Sequence, residues 1–187
     1  MDTSHLDTLK VGLIYGSDTG NTEEVGERIA ERFSDMGVNV EVMDVVDYDA
    51  SEIEAYDFIM MGIPTWDFGG IHGDWEANEN QVIETKLNGK VVALYGLGDQ
   101  AGYGEWFLDA MGWLHERIVK CGATVIGKWS TEGYNFGASL AANEDKSEFC
   151  GLAIDEDEQA YLTDERLDKW VAQVVEELKA VSAKRAA

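Results

Sequence analysis

Positive charge is scarce in this sequence, which has 14 lysine and arginine residues against 37 aspartate and glutamate residues and a formal net charge of −23. Binding to nucleic acid or to an anionic membrane surface needs clustered basic side chains, so neither is expected. A strongly charged chain with few apolar residues would indicate disorder, but 45% of the residues are hydrophobic and 10% are aromatic. The 187 residues therefore predict one folded, acidic domain, 1–187.

Cysteine, histidine and proline are also rare. Cys121 and Cys150 lie far apart without metal-ligand spacing, so reduced thiols are expected, and the three scattered histidines predict no metal site. No apolar run approaches the roughly 18 residues of a membrane span, and the first residues do not resemble a signal peptide. We expect a cytoplasmic protein without membrane insertion. Pro64 marks no linker, and the ends, 1–9 and 179–187, are expected to be flexible.

Short apolar runs alternate with longer segments along the chain. Three runs are apolar throughout, which is typical of strands covered on both faces of a parallel sheet: Val11–Tyr15, Phe58–Ile63 and Val91–Leu97. Val38–Val42 alternates apolar and polar residues and predicts an edge strand. Thr124–Trp129 is a fifth strand candidate.

The segments between these runs carry apolar residues at helical spacing. The clearest stripes are Val25, Ile29, Phe33 and Met36; Phe107, Met111, Leu114 and Ile118; and Leu167, Trp170, Val171, Val174 and Leu178. A shorter helix is predicted near Trp75–Val82, and the residues after Ala50 give a weak helical signal. This alternation predicts an α/β fold with a doubly wound five-stranded parallel sheet of order 2-1-3-4-5. The polar stretch Ser130–Glu148 predicts an insertion within or beside the last strand.

Ligands of doubly wound sheets lie beyond the carboxyl ends of the strands, where the strand order reverses. The loop after the first strand, Gly16–Glu23, offers the hydroxyls of Ser17, Thr19 and Thr22 beside the start of a helix. These neutral donors predict an anion site, although the loop matches neither a Walker A nor a GxGxxG motif. A hydroxyl-rich helix cap without a ligand explains the loop equally well.

The loops after the third and fourth strands each present an aromatic ring among glycines. In Gly62–Gly70, Trp66 either closes over the end of the sheet or stacks on a flat ligand, which adds about 0.5–1.5 kcal/mol beyond burial. In Gly98–Gly104, Tyr103 by itself is typical of a surface turn. Two aromatic loops and a phosphate-type loop at one sheet edge together predict an aromatic phosphate ester bound flat, and flavin mononucleotide (FMN) fits this description.

These motifs together resemble those of the flavodoxin family. The similar segments follow the family's order over roughly residues 10–178. They are Ser17–Thr22, Pro64–Asp67 and Gly98–Tyr103, with Trp129–Phe136 and Gly151–Asp157 similar to the long-chain subgroup. The resemblance implies an electron carrier rather than an enzyme, one that shuttles non-covalently bound FMN between semiquinone and hydroquinone. Because the hydroquinone is anionic, a protein of charge −23 with no basic phosphate site should give that couple a low potential.

The resemblance also implies roles for individual residues. The phosphate would be held by Ser17, Asp18, Thr19, Gly20, Asn21 and Thr22. Trp66 would stack on the inner face of the flavin ring and Tyr103 on the outer face. The edge of the ring would be lined by Pro64, Thr65, Asp67, Phe68, Gly69, Gly98 and Asp99.

Two positions depart from the family's pattern. Asp18 puts a carboxylate in the phosphate loop, so its side chain is expected to point away while its N–H serves the anion. Asp67–Phe68 replaces a turn that commonly contains glycine or asparagine. The resemblance implies that the peptide after Asp67 flips to accept a hydrogen bond from the reduced flavin. Because a side chain disfavours positive φ, we predict that Asp67→Gly stabilises the semiquinone.

The acidity predicts partners with basic patches, such as an enzyme of the ferredoxin/flavodoxin–NADP reductase type, and an association that salt weakens. Solubility or a saline habitat also explains the excess of acidic residues. We expect the protein to be a monomer. One alternative is an NAD(P)H-dependent quinone or azo reductase, which differs at the third loop and usually oligomerises. A phospho-signalling receiver would need an acidic pair after the first strand, where Tyr15–Gly16 stands instead.

Overall fold

The computed structural model describes residue 6 and residues 8–186. Its strands, in chain order, are β1 (Val11–Tyr15), β2 (Val40–Asp44), β3 (Phe58–Trp66), β4 (Gly70–Ile71), β5 (Val91–Leu97), β6 (Thr124–Ile126), β7 (Trp129–Ser130), β8 (Glu148–Phe149) and β9 (Leu152–Ile154). The main sheet has the order β2–β1–β3–β5–β6, and these five strands run parallel. This confirms the predicted five-stranded order 2-1-3-4-5, because β5 and β6 are its fourth and fifth strands.

Helices cover both faces of the sheet. They are α1 (Asn21–Asp35), α2 (Ala50–Ile53), α3 (Gly73–Ala77), α4 (Glu79–Glu84), α5 (Asp109–Lys120) and α6 (Thr163–Ala186), with 3-10 turns at Val45–Asp47, Gly104–Trp106 and Ala160–Leu162. α1 and α6 pack on one face, and α2 to α5 pack on the other. The helix predicted near Trp75–Val82 is two short helices, and the weak signal after Ala50 corresponds to one turn. None of the described helices is long and apolar enough to cross a membrane.

Alternate residues of the central strands face opposite cores. In β1, Leu13 packs on the α1 and α6 side and Ile14 packs on the other side, and both are fully buried. This explains why the central runs are apolar throughout. β2 is the edge strand, as predicted, with Val42 exposed, but it begins two residues later than the pattern indicated.

The last strand is interrupted, so the prediction of one strand over Thr124–Trp129 is wrong. β6 ends at Ile126, and the chain leaves the sheet at Gly127, whose φ is +75°. It returns as β9. β6 pairs with residues 91–93 of β5, and β9 pairs with Tyr95–Leu97, further along the same strand. The insertion therefore lies inside the last strand, and β7 and β8 form an antiparallel pair within it.

The insertion is anchored by aromatic rings. Tyr134 and Phe136 pack against Phe107, with ring centroids 5.9 Å and 5.8 Å away, and against Phe149 at 5.5 Å and 5.1 Å. Phe107 lies two residues before α5 and follows the loop after β5. The insertion is therefore packed against one of the loops predicted to hold the ligand.

The two ends of the chain are only partly described, because residues 1–5, 7 and 187 lie outside the described part. Leu6 is buried in the core beside β1, and α6 continues to Ala186. The flexibility of 1–9 and 179–187 stays a prediction.

Candidate functional site

A cleft of about 340 Å³ lies at the carboxyl ends of β1, β3 and β5. The predicted site residues that line it are Ser17, Asp18, Thr19, Asn21, Thr22, Pro64, Thr65, Trp66, Asp67, Gly98, Asp99 and Tyr103. The predicted residues Gly20, Phe68 and Gly69 are in the same loops but do not line it. Leu97, Glu156 and Asp157 also line the cleft, although the sequence analysis assigned them no role.

The loop after β1, residues 16–23, is the phosphate-type loop, and a hydrogen bond within it fixes its shape. The Gly20 N–H donates to Ser17 Oγ at 3.0 Å, and Gly20 has a φ of +92°. A Cβ on Gly20 would meet nothing within 4 Å, so the backbone conformation and not crowding favours glycine there. The described residues provide no side-chain cap for α1, which is fifteen residues long, so the N–H groups of its first turn, at the cleft, have no side-chain acceptor. Such a terminus is suited to an anion.

A buried tyrosine holds the start of α1 against the sheet. The Tyr95 hydroxyl donates to the backbone oxygen of Thr22 at 3.0 Å. Its ring occupies the space beside Gly62 and Gly26, where an added Cβ would lie 2.0 Å and 2.5 Å from Tyr95 atoms. Burial raises the pKa of Tyr95 well above its ordinary value, so the phenol stays a neutral donor. Tyr95 was not identified from the sequence, although Gly62 inside a strand and Gly26 inside a helix were a signal of close approach.

Asp18 contacts a side chain outside its own loop. Its Oδ1 lies 3.3 Å from Nε2 of His72, the residue just before α3. The Asp18 side chain is 59% exposed, whereas His72 is 1% exposed. The orientation of Asp18 relative to an anion stays a prediction, and His72 was not assigned a role from the sequence.

The second loop is a tight hairpin. β4 pairs with the end of β3, so Asp67, Phe68 and Gly69 form the turn between Trp66 and Gly70. Asp67 has a φ of +43°, a conformation that side chains disfavour. Trp66 Nε1 is buried and has no hydrogen-bond partner within residues 6 and 8–186. The turn thus places Trp66 in the cleft wall.

The third loop is stabilised by backbone hydrogen bonds to its own aspartate, Asp99. Asp99 Oδ1 accepts hydrogen bonds from the backbone N–H groups of Ala101 and Gly102, at 2.9 Å and 2.7 Å. The Asp67 carboxylate interacts with the Tyr103 hydroxyl and raises the pKa of Tyr103. The two aromatic loops are therefore joined to each other at the cleft.

An exposed aromatic cluster adjoins this junction. The Phe68 ring, 72% exposed, makes edge contacts with Tyr103 at 5.6 Å and with Trp106 at 5.1 Å. Trp106 lies in the 3-10 turn after the third loop and was not identified from the sequence. Phe68 and Trp106 form an apolar surface beside the cleft, whereas Tyr103 is also part of the cleft wall.

Asp155 supports the third loop from behind. This fully buried carboxylate follows β9 and accepts hydrogen bonds from both the backbone and the side-chain amide of Gln100, at 3.1 Å and 2.7 Å. Gln100 Oε1 in turn accepts from the backbone N–H of Asn135 in the insertion, at 2.7 Å. The insertion and the end of β9 therefore fix the loop that carries Tyr103.

Negative charge collects at this edge of the cleft. Burial and the neighbouring carboxylates of Asp99 and Asp155 raise the pKa of Asp157. Among the described residues that line the cleft there is no lysine or arginine. No group of three or more possible metal ligands occurs in the described part of the chain.

Comparison with known proteins gives consistent results. The family model described as Flavodoxin matches residues 13–170. The chain is 45% identical over 170 residues to flavodoxin 2 of Escherichia coli (strain K12), covering 91% of this chain and 97% of that protein. It is 44% identical over 177 residues to a flavodoxin of Klebsiella pneumoniae, covering 94% and 98%. The crystal structure of Fusobacterium nucleatum flavodoxin bound to flavin mononucleotide is similar at a TM-score of 0.84 and 29% identity, covering 91% of this chain and 99% of that one.

Proposed function

Because the chain belongs to the flavodoxin family, we propose that it binds FMN in the cleft and carries single electrons between partner proteins. The observation that supports this most directly is the meeting of three loops in one cleft: hydroxyls and a helix N-terminus from the first, and an aromatic ring from each of the other two. A cleft of about 340 Å³ lies within the ordinary size range of small-molecule sites.

The donor set of the cleft fits both parts of FMN. The first loop offers the Ser17 and Thr19 hydroxyls and the first N–H groups of α1 to a phosphate. The buried Trp66 Nε1, for which the described residues provide no partner, is available to a polar atom of a ligand. When bound, FMN supplies the redox chemistry, and the protein supplies orientation and electrostatics.

The charges around the cleft favour a low reduction potential for a ligand bound in it. Its lining contains Asp67, Asp99, Glu156 and Asp157, the described lining residues include no basic side chain, and the whole chain carries a formal charge of −23. Added electron density on a ligand between these carboxylates is therefore disfavoured. We propose that the reduced carrier is a strong electron donor.

The quinone or azo reductase alternative receives no support from these observations. The third loop keeps the Gly98–Tyr103 pattern of flavodoxins, and the relatives named above are flavodoxins. A direct reaction with NADPH distinguishes the two functions, because a carrier needs a separate enzyme to reduce it.

Redox partners with basic patches are the proposed counterpart of this surface. An enzyme of the ferredoxin/flavodoxin–NADP reductase type is the partner class that we propose, acting in the cytoplasm on a monomeric carrier. Electrostatic steering should make the association rate fall as ionic strength rises, because the Debye length shrinks to about 10 Å at 0.1 M salt.

A flavin titration tests the function. Purified protein freed of ligand should bind FMN with one-to-one stoichiometry and then accept two electrons in separate one-electron steps during stoichiometric reduction, followed by visible absorption. NADPH alone should leave the bound flavin oxidised, whereas NADPH with a trace of reductase should reduce it. Failure to bind FMN, or rapid bleaching by NADPH alone, would overturn the proposal.

A further inference from the structure

A buried histidine lies behind the phosphate-type loop. His72 is 1% exposed, and neither ring nitrogen has a hydrogen-bond partner in the part of the chain that the structure describes. Its Nε2 is within ion-pair distance of Asp18 Oδ1, at 3.3 Å, without the alignment of a hydrogen bond. A Cβ on Gly16 would lie 2.7 Å from Nδ1, so the ring packs directly against the loop backbone. An imidazole in this position is costly unless it gains a partner.

The charged groups around this imidazole are acidic. His72 directly precedes α3 and packs against the phosphate-type loop. The 3-10 turn Val45–Asp47 and α4 both pack against α3. The charged residues that they carry are Asp18 and Glu23 in the loop, Asp47 in the turn, Asp74 and Glu76 in α3, and Glu79 and Glu84 in α4, of which Glu79 is paired with Arg117 of α5. Tyr48, whose ring contacts that of Trp75 in α3, stays neutral because burial raises its pKa to about 12. Burial makes a charge on this ring costly, so a proton is held there only while enough negative charge lies beside it.

We propose that His72 is a positioning residue for the phosphate end of the cleft, and that FMN binding takes up a proton on its imidazole. The protonated ring holds the Asp18 carboxylate and offsets the charge that the phosphate brings to a loop whose described residues include no lysine or arginine. This inference rests on the proposed binding of FMN. It explains how a loop with an aspartate beside its anion site accepts a phosphate.

The sign of the pH dependence follows from this linkage. A phosphate monoester carries nearly two negative charges at neutral pH, so its arrival favours the imidazolium form. FMN therefore binds more tightly at low pH, and its Kd rises as the pH increases through the range in which histidines lose their charge. Riboflavin lacks the phosphate, so its Kd should not follow this curve.

The test compares FMN and riboflavin binding by ligand-free wild-type protein and by His72→Gln, between about pH 5.5 and about pH 8.5. Glutamine keeps a neutral N–H donor in the pocket but does not titrate. We expect the Kd for FMN to rise across this range about tenfold more in the wild type than in the variant, since an opposite charge within about 4–6 Å of a titrating group is worth one or more tenfold steps. The titration of the FMN phosphate itself is common to both proteins and cancels.

A second variant keeps the test decisive if His72→Gln folds poorly, as judged by circular dichroism. Asp18→Asn, at an exposed position, should flatten the FMN profile to a similar extent, and the double variant should add little. Parallel pH profiles in the wild type and either folded variant, or an equal change for riboflavin, would overturn the role of His72. Absence of binding for both flavins in the wild type would instead overturn the proposed function, and this inference with it.

Discussion

The two ends of the cleft are built in different ways. At the phosphate end the supports are buried: Thr22 and His72 are almost fully covered, and Tyr95 holds the helix start from inside the sheet. At the aromatic end the rings are more exposed, and the two loops meet through Tyr103 and Asp67. The core therefore shapes the phosphate end, whereas loop contacts shape the aromatic end. We expect the first to determine ligand affinity and the second to adjust redox behaviour.

The largest expected effect comes from removing the phosphate from the ligand. Riboflavin should bind about 100-fold more weakly than FMN, because it forgoes one or two charge-assisted hydrogen bonds worth about 1.5–3 kcal/mol each. Quenching of flavin fluorescence during titration measures both dissociation constants. Equal dissociation constants would show that the hydroxyl-rich loop contributes nothing to binding. The phosphate end would then not be the end that determines ligand affinity.

Removing the ring of the cleft wall should have the next largest effect. Trp66→Ala should weaken FMN and riboflavin by a similar factor of about ten, since stacking adds about 0.5–1.5 kcal/mol to the burial of the ring. Phe68→Ala is the matched control, because Phe68 is 72% exposed and does not line the cleft. A loss confined to FMN in Trp66→Ala would mean that the substitution had disturbed the phosphate end instead.

The sequence predicted the fold because the central strands are covered on both faces. Their apolar runs have no other ready explanation, and β2 is recognisable by the alternation of apolar and polar residue types in Val38–Val42. The interruption of the last strand was not predictable, because Thr124–Trp129 reads as one continuous strand and β9 has only three residues. The local pattern did not show that Leu152–Ile154 would continue the sheet beside β5.

The same distinction holds for the cleft. Its three loops were predictable because the ends of parallel strands meet at one edge. Glu156 and Asp157 were not assigned, since they reach the cleft only through the pairing of β9. His72 belongs to no motif, and Asp155 lies in the segment Gly151–Asp157, for which the resemblance implied no role of a single residue. Their importance comes from burial and from partners far along the chain, such as Gln100, 55 residues before Asp155.

The hairpin turn gives a smaller, redox-specific prediction. Flipping the peptide between Asp67 and Phe68 changes ψ of the first residue and φ of the second. Asp67 already has a φ of +43°, whereas Phe68 is not in the positive region. Phe68→Gly should therefore ease the flip more than Asp67→Gly does, although the sequence had indicated Asp67→Gly.

The expected size follows from the cost of positive φ for a side chain, about 1–2 kcal/mol. Phe68→Gly should raise the first one-electron midpoint potential by at least about 40 mV, with a smaller rise for Asp67→Gly, since about 59 mV corresponds to a factor of ten. Anaerobic spectroelectrochemistry measures both potentials. Affinity for oxidised FMN should change little in either variant. A larger shift in Asp67→Gly than in Phe68→Gly would contradict this assignment of the strain.

The smallest effect tests whether the interaction between Tyr103 and Asp67 helps to hold the two aromatic loops together. Interaction with a charged carboxylate favours the neutral phenol, so the pKa of Tyr103 is raised. Asp67→Asn keeps an acceptor without the charge and should lower this pKa toward the ordinary value of about 10. A pH titration of the Tyr103 ring signals by NMR, assigned with Tyr103→Phe in the ligand-free protein, measures the change. An unchanged pKa would mean that Asp67 does not help to position Tyr103. The loops would then be held by Asp155 and Gln100 on one side and by the β3–β4 hairpin on the other, and the two ends of the cleft would be equally preorganised.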